Sequence, residues 1–191
     1  MALALAASAW SGCALTLVQP YDEKLVNDTE AIFKKASAVV DDGISRSPRT
    51  DDERAALRPP TASDAHYAKF EPHYNALLRD ADALILRSLA GSGEIGAVGN
   101  KLQQKIEGLI ESAIPSACPD VDQELRDLSA SLTVRNYIDL KCFFINWKAQ
   151  HGDMQRTGQT QILKKANWEA RKGALFGIVL AIQKAETFKK K

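Results

Sequence analysis

Apolar residues recur at helical spacing along most of this chain, and strand-like alternation is absent. The first stripe is Tyr21, Leu25, Ile32, Ala36 and Val39. Pro20 opens it as a first helical residue, Asp22 and Glu23 complement the dipole in the first turn, and Gly43 is expected to end it. Residues 43–60 hold Pro48, Pro59, Pro60 and many charges, and read as an exposed polar loop. A second helix is predicted from Thr61 or Ser63, both good caps, with Tyr67, Phe70, Tyr74, Leu77, Ala81, Leu84 and Ser88 on one face. Pro72 either kinks this helix or marks its true start, and the glycines from Gly91 to Gly99 end it.

A shorter helix follows from Asn100, with Leu102, Ile106, Leu109, Ile110 and Ala113 on one face and Pro115 as its stop. Another begins after Pro119 and carries Leu125, Leu128 and Leu132. Its apolar content widens between Tyr137 and Trp147, which suggests burial on more than one side, and His151-Gly152-Asp153 breaks it. The last helix spans about Gln159 to Lys189. There Gly173, Gly177, Ala181 and Ala185 make a ridge of small residues that lets another helix approach closely. In a bundle that helix is expected to belong to the same chain, with self-association as the second reading. The predicted fold is all-α: an antiparallel bundle of four long helices with one short extra helix, forming a single domain over residues 20–191.

Charge adds little direction. Lys and Arg number 25 against 24 Asp and Glu, a net charge of +1, so there is no bulk attraction to nucleic acid. No stretch approaches the roughly 20 apolar residues of a membrane-spanning helix. The best run, Gly173 to Ile182, is flanked by Arg171, Lys172 and Lys184.

The N-terminus carries an address. An apolar run from Met1 to Trp10 leads into Ser11-Gly12-Cys13, an arrangement that looks like the lipobox of a bacterial lipoprotein. On this reading residues 1–12 are a truncated signal peptide and residues 13–19 a tether whose Cys13 carries the lipid. No charge precedes Cys13, whereas a signal has a basic start, so the true start is expected upstream of Met1. Trp10 stands where lipoboxes usually carry Leu. Two other readings stay open: cleavage after Ala7-Ser8-Ala9 of a plain secreted protein, and the apolar start of a cytosolic helix. By resemblance to Gram-negative lipoproteins, Ala14 rather than Asp after the cysteine points to the outer membrane.

Cys13-Ala14, then Gln19-Pro20-Tyr21-Asp22-Glu23 and an amphipathic helix, resembles a group of small uncharacterised Gram-negative lipoproteins. The terminal Lys184-Ala185-Glu186-Thr187-Phe188-Lys189 is also similar, and residues 91–118 fall outside the likeness. The resemblance implies no activity, and lipid attachment at Cys13 is the one role it transfers.

Candidate chemistry is sparse. Gly91-Ser92-Gly93-Glu94-Ile95-Gly96 spells G-x-G-x-x-G, but a helix precedes it where a dinucleotide site needs a strand. His66 and His73 stand two turns apart, about 10 Å of rise, too far to chelate one ion, and His151 is placed in a loop. No nucleophile elbow, H-E-x-x-H or C-x-x-C-H motif occurs. The acids Asp41-Asp42 and Asp51-Asp52-Glu53 read as solvated.

Cys118 and Cys142 are expected to be buried free thiols. A continuous helix between them would be about 36 Å long, against a limit of ~7 Å between bridged Cα atoms. A disulfide would require that helix to break or the loop holding Cys118 to fold back. The expected function is therefore that of a periplasmic lipoprotein, anchored to the membrane through its lipid and acting by contact with an unidentified envelope protein. It is not expected to be an enzyme or to use a cofactor or metal. One alternative is a bundle that binds haem, lipid or another apolar ligand, motivated by Phe143, Phe144 and Trp147. Another is an enzyme with scattered catalytic residues.

Overall fold

A computed structural model describes residues 21–91 and 132–189. Within them the chain forms α1 (Glu23–Arg46), α2 (Asp51–Ala56), α3 (Tyr67–Gly91), α4 (Leu132–Gly152) and α5 (Lys165–Phe188). The four long helices pack in a ring, α1 on α3, α3 on α4, α4 on α5 and α5 back on α1. Cross-helix pairs fix their directions. Asp22–Arg87 and Lys35–Asp80 set α3 antiparallel to α1, and Lys141–Asp82 with Lys148–Glu71 sets α4 antiparallel to α3. Gln150–Arg171 with Lys189–Thr133 does the same for α5 against α4, and Lys172–Asp41 with Phe176–Phe33 for α5 against α1. The architecture is an all-α, up-down-up-down four-helix bundle. The helix expected at 100–115 lies outside the described residues, as do Cys13 and Cys118, and the short helix within them is α2.

The stripes read from the sequence form the core: Leu25, Ile32, Ala36 and Val39 from α1, and Phe70, Tyr74, Leu77, Ala81 and Leu84 from α3. α4 contributes Val134, Tyr137, Ile138, Phe144 and Trp147, and α5 contributes Trp168, Leu175, Val179 and Ile182. At the end where α1 begins, polar groups tie the helices together. The Thr29 hydroxyl donates to the Leu25 carbonyl at 2.7 Å and receives the Tyr137 hydroxyl at 2.9 Å. The Glu186 carboxylate pairs at 2.6 Å with Lys189, whose ammonium also reaches Thr133, so the last turn of α5 is fastened to α4 by a buried ion pair.

Several boundaries differ from the sequence reading, each for a local reason. Asp22 is the N-cap of α1, accepting from the Lys24 and Leu25 amides, so the helix starts three residues after Pro20. Gly43 does not end α1. It lies inside the helix, which continues to Arg46, because the indole of Trp168 packs against it. The stretch 43–60 is not simply a loop. Thr50 caps α2 by accepting from the Glu53 amide, while the Glu53 carboxylate reaches back to the Arg49 amide.

Pro60–Ala62 forms a 3-10 turn, and α3 begins at Tyr67 with exposed Pro72 in its second turn. Residues 159–164 are not part of α5. Gly158, Gln159 and Gln161 take positive φ, Ile162 bridges to His66, and Ile162 and Leu163 are buried across the end of the bundle.

Candidate interaction surface

His151 was expected in a loop but sits fully buried in the last turn of α4. Around it stand Tyr67, Phe70, Tyr74 and Trp168, with ring centroids 5.4–5.8 Å away. Trp147 closes the cluster against Tyr74 and Trp168. A carbonyl can only accept, so His151 Nε2 donates to the Ala65 oxygen at 3.2 Å and Nδ1 accepts from the Tyr74 hydroxyl at 2.9 Å. The ring is thereby fixed as one neutral tautomer. Burial drives its pKa down to about 4, and the hydrogen bond to Ala65 offsets this only in part. With both nitrogens engaged, this imidazole cannot also bind haem iron without giving up a bond. Phe143, Phe144 and Trp147, which motivated a ligand-binding reading, pack on one another within the core.

The other singled-out residues do not converge. His66 is buried near the start of α3 with its pKa lowered by desolvation, and His73 is exposed on α3. Gly91 is the last residue of α3, while Ser92 to Gly96 lie outside the described residues. The acidic clusters form ion pairs: Asp41 with Lys172, Asp42 with Arg46, and Asp51 with Arg54 and Lys164. Among the described residues no group of His, Cys, Asp and Glu is placed to hold a metal ion.

Cys142 is not a free thiol. It is disulfide-bonded, and as the single cysteine among the described residues its partner lies outside them. Only a helix running unbroken from just after Cys118 would hold the two cysteines apart. The described part of that helix begins at Leu132.

Two outer grooves are spanned by ion pairs and hydrogen bonds of their own side chains. One, of about 300 Å³ between α1 and α3, is crossed by the Lys35–Asp80 pair. The other, of about 500 Å³ along α3 and α4, contains Tyr67 and Lys148, both of which bind Glu71. Burial and the Glu71 carboxylate push the Tyr67 phenol up to about 12, so it remains protonated.

The face of α5 that points away from the bundle is different. Gly173 and Gly177 belong to the small-residue ridge expected to receive another helix of the chain. A Cβ built at either position meets no described residue within 4 Å. Phe176 is 58% exposed and Leu180 is 38% exposed. The ring of Phe176 leans on Phe33 of α1 at 6.5 Å, and a groove of about 240 Å³ runs beside them. Between Lys172 and Lys184 every exposed residue of α5 is apolar or glycine: Gly173, Ala174, Phe176, Gly177, Leu180 and Ala181. A contiguous apolar face of this kind on a folded domain marks a surface made to be covered.

Among the described residues no helix packs on this ridge, and α5 carries apolar residues nearly all round, more than one buried stripe requires. No protein-family model, curated protein or solved structure matches the chain.

Proposed function

We propose that this protein is a lipid-anchored helical bundle of the bacterial cell envelope, on the periplasmic side of the outer membrane, which acts by binding protein rather than by catalysis. The observation that carries the reading is the disulfide at Cys142. Disulfides persist in oxidising compartments, the setting that a lipid-bearing Cys13 requires. The apolar outer face of α5 supplies the contact surface. From Cys13 to Pro20 the chain reaches at most about 25 Å, so the bundle is held close to its membrane.

The reading has a sharp internal requirement. A lipid thioether uses the sulfur of Cys13, and the chain has three cysteines. Lipidation therefore leaves Cys118 as the intrachain partner of Cys142. Expressed with its upstream start and extracted from membranes, the protein is expected to have the mass of the chain from Cys13 plus acyl groups. Peptide mapping without reductant is expected to recover a Cys118–Cys142 crosslink. An unmodified chain retaining Met1, or a Cys13–Cys142 crosslink, overturns the anchor.

A further inference from the structure

We propose that the outer face of α5 is the interface of a two-fold homodimer, in which two copies of α5 cross antiparallel at Phe176 and Gly177. This names the partner for the contact face assigned above and rests on that face being a contact surface.

The face is complementary to itself in one register. The exposed charged residues bordering it on α5 are Glu169 and Lys172 toward the start of the helix and Lys184 toward the end, and Lys172 is already paired with Asp41 of α1. Glu169 and Lys184 stand fifteen residues apart, about 22 Å along the axis, with their midpoint between Phe176 and Gly177. Pairing α5 antiparallel about that midpoint sets Glu169 of each copy against Lys184 of the other. The same register sets Leu180 against Gly173, a large side chain facing a residue with none, while Gly177 leaves room at the axis beside the two copies of Phe176. Small residues facing large ones let helix backbones approach closely and let the side chains interdigitate.

A parallel pair fails on each count, because Glu169 meets Glu169, Lys184 meets Lys184 and Leu180 meets Leu180. Size and charge both balance about the same midpoint, which a two-fold interface demands because one patch must serve as both partners. A foreign partner imposes no such symmetry. A bilayer surface favours a basic rim along the apolar face rather than a carboxylate at one end. Lys184 has no ion pair among the described residues, and Glu169 has a loose one at 3.9 Å with Lys165 of its own helix, so both can turn to a neighbour.

The test is the mass in solution of the full chain carrying Cys13→Ser, so that no lipid drives association. Sedimentation is expected to give twice the 20.9 kDa of one chain. Gly177→Leu has open space in the monomer, so it should keep or raise the unfolding midpoint while weakening the dimer about 100-fold or more, since overpacking occurs twice at the axis. Glu169→Lys alone and Lys184→Glu alone should each weaken the dimer, and the double reversal should restore it.

A monomer at every soluble concentration overturns the proposal. So does a monomer whose α5 face binds vesicles of phosphatidylethanolamine and phosphatidylglycerol, and so does a dimer indifferent to all these variants. A dimer weakened by Gly177→Leu but blind to charge reversal overturns the antiparallel register. Failure of the envelope reading appears separately, in the mass at Cys13, and leaves the dimer measurement unaffected.

Discussion

Gly43→Ala is expected to destabilise the fold by about 3 kcal/mol, lowering the thermal midpoint by roughly 6–12 °C. An added Cβ at this position falls 2.3 Å from ring carbons of Trp168, well inside contact distance. The indole cannot slide away, because it is fully buried between Phe70 at 4.8 Å, Trp147 at 5.4 Å and His151 at 5.4 Å. The usual gain from alanine over glycine in a helix, about 1 kcal/mol, offsets only part of the overpacking.

Gly173→Ala provides the control. Measured at a concentration low enough to keep the chain monomeric, the same chemical change, with no described residue within 4 Å of the new atom, is expected to stabilise by up to about 1 kcal/mol. Denaturant melts of the two variants should therefore shift in opposite directions. Equal shifts, or a neutral Gly43→Ala, would show that Trp168 does not hold the position assigned to it.

Acid is expected to loosen the bundle through His151. An unfolded histidine takes up its proton near pH 6.5, whereas the buried ring resists until about pH 4. Between those values the unfolded chain binds the extra proton. Stability from this group is thus full above pH 6.5 and declines as pH falls toward 4, by about 3 kcal/mol in all. The surroundings oppose a charged ring: nearby His66 is basic, and Tyr74, its pKa raised well above the ordinary phenol range by burial, remains neutral and offers a hydroxyl. Protonated Nδ1 could no longer accept that hydroxyl. In His151→Gln the decline between pH 6.5 and 4 should flatten, even if the variant is less stable at neutral pH. Parallel curves for the two proteins would refute the assignment. The lowered pKa of Asp22, held down mainly by its hydrogen bond from Arg87, adds a further loss below this window.

The fold was legible in the sequence wherever a helix has one wet face and one dry face. Leu25, Ile32, Ala36 and Val39 declared α1, and Phe70 through Leu84 declared α3, because a single stripe of apolar residues has one arrangement that buries it. Local spacing failed where a distant residue decides. Gly43 had the look of a helix stop, and only the arrival of Trp168 shows that its missing side chain makes room within a continuing helix. Ile162 and Leu163 fit the period of α5, yet they are drawn out of it to close the bundle end beside His66 and Ala65.

The interaction surface was half visible. The ridge of Gly173 and Gly177 was plain, but its direction was not, because periodicity gives the residues on a face and not what the face looks toward. The opposed charges at Glu169 and Lys184 acquire meaning only once the ridge is known to be open.

The up-and-down course of the chain bears on posture at a membrane. α1 begins, α3 ends, α4 begins and α5 ends at one pole of the bundle, so the proposed tether, preceding α1, would leave from that pole. An antiparallel pair through α5 puts the two tethered poles at opposite extremes of the assembly. A leash of about 25 Å cannot bring both down if the bundles stand upright. With the proposed anchor and the proposed dimer together, the pair would recline, its symmetry axis along the bilayer normal and its helices along the lipid plane, as a low plate rather than a mast.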